Sequence, residues 1–378
     1  MNKSKIMKIA LQYYSHSSGK RKKDGFMNLP VSCRRAAVCI TVTFILCLAS
    51  QTLSGCAQMR TANETELILG TVINVTLYGN SSQESLDHAA SAAMDKAREL
   101  EQIFSAALEE SELNDVNQNA AKGPVHVSHD LYTVLERSLY FADLTNGAFD
   151  PTLGKLIKLW GIGTDHARLP GKSEISPLAG QKNYKKVILN KTDQTVQFTG
   201  DGFELDLGAI AKGYAADEMK KLLVDDYGIT SGLLNLGGNI ITIGSRYDGQ
   251  PWTLGIADPQ NPQDLDHPAV LLKMTGKTFV TSGDYQRYYT APDGKKYHHI
   301  LDSATGYPAD TGLSSVTIIT DCSMDADALS TASFVLGEER ATDLLSTMDG
   351  IDAVFIAADG EITATPGIQS QLYYSLEP

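Results

Sequence analysis

The sequence predicts an α+β fold: antiparallel sheets with packed helices, in a single domain over residues 66–378. Three observations carry that reading. Asp-Gly pairs at 201–202, 248–249, 293–294 and 359–360 sit between strand-like runs, and Asp-Gly supplies the positive φ angles of tight hairpins. Helical stretches fall between these runs without alternating one for one with strands, which argues against a doubly wound parallel sheet. No repeat, low-complexity tract or clear linker divides residues 66–378. With 42% hydrophobic and 20% charged residues in a chain of 378, a sizeable core can form.

The N-terminal stretch reads as a processing segment, residues 1–55. Arg34 and Arg35 precede an apolar run from Ala36 to Ala49, and Leu53-Ser54-Gly55-Cys56 follows. A basic flank, a short apolar run and small residues make a secretory signal, and the run is too short for a comfortable membrane span. The tetrapeptide resembles a lipobox, in which Cys56 is lipidated and becomes the new N-terminus; Met27 would open a signal of ordinary length. Cys33, Cys39 and Cys47 leave with that signal, so the exported domain keeps only Cys322 besides Cys56 and forms no internal disulfide. Residues 1–55 hold nine Lys/Arg against one Asp, so within a whole-chain charge of -13 the remainder carries -21. A surface that acidic argues against nucleic acid as a partner.

Beyond a polar tether at 56–65, Glu66 to Tyr78 reads as one strand with Ile73, Val75 and Leu77 on one face. Ser81 and Glu84 have capping-box spacing. They open a helix whose stripe is Leu86, Ala90, Ala93, Ala97, Leu100 and Phe104. A second helix runs from about Ser128 to Leu144 and stops near Gly147; residues 165–185 read as a loop. Val196–Phe198 and Phe203–Leu207 flank the first Asp-Gly pair as hairpin strands. Further helices cover Ala209 to Val224, and Ala326 to Leu345 with a break at Gly337.

Five clusters carry groups capable of chemistry. In Gly147-Ala148-Phe149-Asp150-Pro151-Thr152, Asp150 either accepts donors from a nucleobase or ribose or caps the next helix. Asp206 ends a strand-like run before Gly208-Ala209-Ile210-Ala211-Lys212, where backbone carbonyls can face a cation and Lys212 an anion, unless Lys212 is simply solvated. The paired glycines of Asn235-Leu236-Gly237-Gly238-Asn239 allow a close approach by a ligand or by another part of the backbone. Thr281-Ser282-Gly283-Asp284-Tyr285 and Tyr297-His298-His299 bring hydroxyls, a carboxylate and imidazoles together; in a strand the two histidines point to opposite faces, and either can be purely structural. Asp327 and Thr331, at i and i+4, share a helix face that suits Mg²⁺, the alternative being that Asp325 and Asp327 compensate a helix N-terminus. No GxSxG, HExxH or Walker loop is present, which argues against a protease or a kinase.

Taken in order, these stretches resemble the ApbE family of flavin transferases. The matching segments are LGT at 69–71, FSAALEESEL at 104–113, GAFDPTLGKLIKLWG at 147–161, ELDLGAIAKGYAAD at 204–217, LLNLGGN at 233–239, TSGDY at 281–285, HHILDSATGYP at 298–308 and MDADALSTA at 324–332. The resemblance implies a T-fold-like domain that holds FAD, with Mg²⁺ on Asp327, Thr331, Ser330 and the Ala209 carbonyl. It implies flavin-nucleotide contacts at Leu69, Ala148, Phe149, Asp150, Asp206, Lys212 and Leu301, with His299 near the reacting phosphate; a hydroxyl nucleophile benefits from a nearby base, for which His299 or Asp284 is the candidate. The implied reaction moves FMN from FAD to a Ser or Thr hydroxyl of an acceptor protein and releases AMP. The resemblance suggests acceptors among the subunits of membrane redox complexes, and the export signal with its lipobox places the chain, lipid-anchored, on the periplasmic face of the inner membrane or the outer face of the cell membrane. The sequence departs from relatives in three places. Ala107 stands where many carry a flavin-stacking aromatic, Ser303 where the turn has Pro, and Ser330 where some have an acid. Two other activities fit the same residues: a Mg²⁺-dependent FAD pyrophosphatase, and a flavin-binding lipoprotein without chemistry. Asp302-Ser303-Ala304-Thr305-Gly306 echoes the pattern of flavinylated acceptors but reads as a turn.

Overall fold

The computed structural model describes residues 59–374; the signal segment, Met27 and Cys56 lie outside them. The first two strands are β1 (Arg60–Ile68) and β2 (Thr71–Gly79), paired from Arg60↔Gly79 to Ile68↔Thr71. The sequence showed one strand here and a tether before it. The turn was hidden because Leu69 occupies the left-handed region (φ 55) ahead of Gly70 (φ 65), a conformation that leucine does not advertise. The Glu101 carboxylate holds that turn by accepting the Leu69 N–H at 2.7 Å.

Helix α1 (Gln83–Phe104) buries the whole predicted stripe, and its cap is Ser82, one residue after the expected Ser81. Next come α2 (Glu112–Asn119), β3 (Val125–His126), α3 (His129–Leu144, capped by Ser128) and α4 (Gly154–Trp160). A short α5 (Lys172–Ile175) interrupts the expected loop before β4 (Val187–Asn190) and β5 (Thr195–Phe198). Residues 203–207 do not pair with β5. Both backbone groups of Leu205 are taken by the Asn117 side chain, at 2.7 and 3.0 Å, and Asp206 N–H donates to Pro151 O at 2.8 Å.

The second half holds α6 (Ala211–Asp225), β6 (Ser231–Leu236), β7 (Asn239–Ile243), β8 (Trp252–Ile256), β9 (Val270–Met274) and β10 (Thr278–Gly283). Then follow β11 (Tyr288–Thr290), β12 (Lys296–His298), β13 (Leu313–Thr320), α7 (Ser323–Leu336) and α8 (Glu338–Leu345). The last elements are β14 (Asp352–Ala357), β15 (Ile362–Ala364), α9 (Pro366–Gln369) and β16 (Leu372–Tyr374). Asp-Gly turns do join β11 to β12 and β14 to β15 as hairpins. The pair at 248–249 does not, because β7 lies between β6 and β10 while β8 pairs with β9.

Eight strands form one antiparallel sheet in the order β1-β2-β6-β7-β10-β13-β14-β15. Its helix-facing side packs Leu77, Val280, Ile318 and Phe355 with Ala93, Met219 and Leu329 of α1, α6 and α7. Its other side packs Phe279, Ile319 and Val354 on Trp252, Leu254 and Leu272 of the small sheet β16-β9-β8. The arrangement is α+β, as expected.

One contact fixes the helix layer. A Cβ on Gly213 of α6 would stand 2.2 Å from Ser323 O and 2.7 Å from Met324 Cα of α7. We expect Gly213→Ala to lower stability by about 2 kcal/mol or more, since the clash is with backbone that has to move. Gly123→Ala, with nothing within 4 Å of its Cβ, is the control. Thermal melts of both variants check this; equal melting temperatures would refute the close crossing.

Candidate functional site

The site forms where α6 starts and α7 passes beneath it. Asp217 of α6 accepts Ser323 N–H and Met324 N–H, both at 2.9 Å, and so caps α7 from outside its own sequence. Burial pushes the Asp217 carboxyl above its ordinary range, and these donors oppose that. The cap and the Gly213 contact together fix Asp327, one turn into α7. Asp327 is 2% exposed. Its Oδ2 accepts Gly213 N–H at 3.0 Å, and Lys212 Nζ stands 3.3 Å from both carboxylate oxygens. Lys212 Nζ also donates to Gly208 O at 2.7 Å, so Lys212 is not a solvated helix residue. Ala209 lies half-buried in the turn between those two residues.

Hydroxyls complete the cluster. Ser330 Oγ donates to Asp327 O at 2.9 Å and stands 2.8 Å from Ser282 Oγ of β10. Ser282 Oγ in turn lies 3.4 Å from Thr331 Oγ1. Asp327, Ser330, Thr331 and Lys212 are thus brought together, and Ser282 joins them. Sequence reasoning quoted Ser282 within TSGDY without a role; the signal was its parity in β10, which turns it to the helix side with Val280. Asp325, by contrast, makes a bidentate pair with Arg137 of α3 at 2.7 and 2.6 Å and belongs to the scaffold.

Asp206 and Asp150 are both half-buried carboxylates that burial pushes above their ordinary range. Asp206 Oδ1 accepts Gly208 N–H at 2.9 Å. Asp150 Oδ1 accepts Thr152 N–H at 2.8 Å and Thr152 Oγ1–H at 2.5 Å. That is a local turn and not a helix cap, since α4 starts at Gly154 with no side-chain cap. Phe149 is 2% exposed with its ring edge-on to Phe141, and Leu301 is packed with Leu156 and Trp160, so only their backbones remain for a ligand. Ala148 is half-buried against the same core as Phe149. Leu69, on the β1–β2 turn, is tied to the site by Arg287, whose Nη2 donates to Gly70 O at 2.9 Å. The Gly237–Gly238 bend meets the same turn: a Cβ on Gly237 would stand 1.9 Å from Thr71 Oγ1, so the close approach there is by the Thr71 side chain rather than by another stretch of backbone.

The two histidines divide as the strand parity predicts. His298 Nε2 donates to Ala309 O at 2.9 Å, its Nδ1 accepts Ile300 N–H at 3.3 Å, and its ring lies edge-on to Phe334. It is structural. His299 Nδ1 stands 3.3 Å from Arg287 O. Burial, then the charges of Arg287, His298 and Lys212, push the His299 imidazole down to about 3. Asp284 has other neighbours: Ser314 Oγ reaches its Oδ2 at 3.4 Å and His298 is the nearest imidazole by charge, while burial raises its carboxyl. No hydrogen bond joins the two candidate bases, and the His298 imidazole acts on both.

A metal is tested here by its donors. Among the described residues no group of three or more His, Cys, Asp or Glu side chains is poised for one. The cluster instead offers the Asp327 carboxylate, the Thr331 hydroxyl one turn along α7 and the Gly208 carbonyl, all hard oxygen donors, and the Lys212 ammonium already rests between Asp327 and Gly208 O. That donor set fits a hard cation which keeps several waters and shares phosphate oxygens.

A model of the ApbE family matches residues 69–355. The chain is 37% identical to an FAD:protein FMN transferase of Treponema pallidum over 83% of this chain and 89% of that protein. It is 35% identical to one of Klebsiella pneumoniae, over 78% and 89%. The fold matches an ApbE protein of Thermotoga maritima with TM-score 0.74 and 31% identity, over 84% of this chain and 100% of that one. It matches the flavin transferase ApbE of Vibrio cholerae with TM-score 0.71 and 26% identity, over 83% and 100%.

The His299 environment sets a pH dependence. A histidine held near 3 when folded, against 6.5 when unfolded, stabilises the fold fully above about pH 6.5 and loses that contribution as pH falls toward 3. Between those limits the unfolded chain binds the extra proton. We expect His299→Gln to lose less stability than the parent between pH 6.5 and pH 4, measured by urea melts at each pH; parallel curves would refute the depressed imidazole.

Proposed function

The chain belongs to the ApbE family, and we propose that it transfers the FMN half of FAD to a Ser or Thr hydroxyl of an acceptor protein, with Mg²⁺ held at Asp327, Thr331, Ser330 and the Ala209 carbonyl. The observation that carries this reading is the buried Asp327 carboxylate, joined with Lys212 and the hydroxyls of Ser330 and Thr331 at a site whose imidazole is neutral. Lys212 and Arg287 bring two fixed positive charges to His299, which suits a diphosphate. The Nδ1 contact with Arg287 O puts the imidazole proton on Nδ1 and leaves Nε2 free to accept one. In the step we assign, His299 Nε2 takes the proton of the acceptor hydroxyl while its oxygen bonds to the FMN-side phosphorus. The bridging P–O bond breaks and AMP leaves with the bridging oxygen. Bound Mg²⁺ would supply charge neutralisation on the diphosphate and orientation of the leaving group.

Nucleotide contacts are proposed at Leu69, Ala148, Phe149, Asp150, Asp206, Lys212 and Leu301, through backbone where the side chain is core. Ala107 is exposed and brings no ring to the flavin. The acceptor is proposed to be a subunit of a membrane redox complex, reached from a lipid on Cys56.

The test is in-gel flavin fluorescence of an acceptor after incubation with the protein, FAD and Mg²⁺. We expect EDTA to abolish the labelled band, and Asp327→Ala to lower the rate by about a hundredfold or more. Labelling that survives both would refute the metal assignment. Release of FMN and AMP with no labelled acceptor would favour the pyrophosphatase.

A further inference from the structure

The β1–β2 turn carries Leu69, one of the proposed nucleotide contacts, and it is held from two sides. Leu69 lies in the left-handed region (φ 55), which a leucine keeps only where its surroundings fix it. Its N–H donates to Glu101 Oε1 at 2.7 Å. Glu101 stands in the last turn of α1, the end of a helix where the dipole disfavours a carboxylate. The helix gains nothing from an acid there, whereas the turn gains an acceptor for a backbone N–H.

The other hold leads to the site. Gly70 O accepts Arg287 Nη2–H at 2.9 Å, and that guanidinium makes no other hydrogen bond among the described residues. Arg287 O in turn accepts His299 N–H at 3.1 Å and stands 3.3 Å from His299 Nδ1. The positive charge of Arg287 acts on His299 and on Asp206, a second proposed nucleotide contact. A continuous path of hydrogen bonds and backbone therefore runs from Glu101 through Leu69, Gly70 and Arg287 to His299.

We propose that Glu101 is a positioning residue for FMN transfer. By fixing the Leu69–Gly70 turn it sets the nucleotide contact at Leu69 and holds Arg287 beside His299, a role that rests on the transferase reading. A plain tie between α1 and the β1–β2 hairpin is a different role, and the molecule supplies its control. One turn earlier in α1, Arg98 pairs with Glu66 of β1 and with Asp95, in half-exposed ion pairs that join the same two elements three residues before Leu69. Neither Arg98 nor Glu66 holds the turn itself.

The test exchanges bond against charge. Glu101→Asp keeps the charge and draws the oxygen back by one methylene; Glu101→Gln loses the charge and keeps an oxygen for the Leu69 N–H. In flavin-fluorescence titrations of the full-length protein we expect Glu101→Asp to weaken FAD about tenfold, with Glu101→Gln and Arg98→Ala within about twofold of the parent. In the transfer assay Glu101→Asp should also lower kcat about fivefold at saturating FAD, and Glu101→Gln should restore it. That kcat loss should vanish when Arg287→Gln is already present, because the path to His299 is then broken, while Arg98→Ala should leave kcat within about twofold in either background. Unchanged FAD affinity in Glu101→Asp, or an equal loss in Glu101→Gln or Arg98→Ala, would overturn the positioning role. A kcat loss that adds in full to that of Arg287→Gln would overturn the path through Arg287. If the unaltered protein binds FAD but transfers no FMN, the functional reading fails and the path to the base with it, while the titration still decides whether Glu101 sets the nucleotide contact.

Discussion

The site depends on how closely α6 passes α7. At Gly213 there is no room for a methyl group, and the absence of one lets the Gly213 N–H reach the Asp327 carboxylate at 3.0 Å. One turn further along α6, Asp217 takes the first free N–H groups of α7. The helix that presents Lys212 therefore also caps and spaces the helix that presents Asp327. A carboxylate buried this deeply is stable only if its lone pairs are met. Here a main-chain donor and an ammonium meet them, and both come from two consecutive residues of α6. Ser330 and Thr331 follow on α7 and reach Ser282, which anchors the pair to the sheet.

A second constraint is the charge around His299. Burial and the nearby cations hold the imidazole neutral and weakly basic. A diphosphate beside Lys212 and Arg287 would offset those same charges, so the base strength of His299 would rise when an anionic substrate arrives. Base strength and occupancy are then linked, and the empty site is poorly suited to remove protons. The scaffold ions act differently: the Arg137–Asp325 pair is bidentate and satisfied within itself, and it fixes α3 to the start of α7.

Long periodic segments were legible in the sequence because a buried stripe leaves a clear spacing. The α1 stripe, the α3 limits and the break at Gly337 all appear where the pattern puts them. The Leu69–Gly70 turn was not legible, since the strand pattern runs through it and the left-handed leucine is held by Glu101, some thirty residues away. Residues 203–207 have strand composition, but Asn117 and Pro151 compete for their backbone, and such long-range bonds leave no local trace. At the site, the i, i+4 spacing of Asp327 and Thr331 was readable from the helix alone. The pairing of Lys212 with Asp327, 115 residues apart, was not, nor was the contact of Ser282 with Ser330. Both follow from which strand neighbours which.

Ser330 sharpens what the cluster can do. Its hydroxyl is turned back to Asp327 O and to Ser282, so it adds an oxygen but no charge. The carboxylate at the centre is a single one, and it already shares its charge with Lys212. A divalent cation bound there by protein alone would be held weakly, because hard ions of this kind draw their affinity from the number of charged ligands. Phosphate oxygens of the substrate would supply the missing negative charge, while Lys212 remains free to shift from Asp327 toward the same phosphates. Metal and nucleotide would then assemble together, each completing the coordination or charge balance of the other, on a scaffold whose contribution is to hold one carboxylate, one ammonium and three hydroxyls in fixed relation.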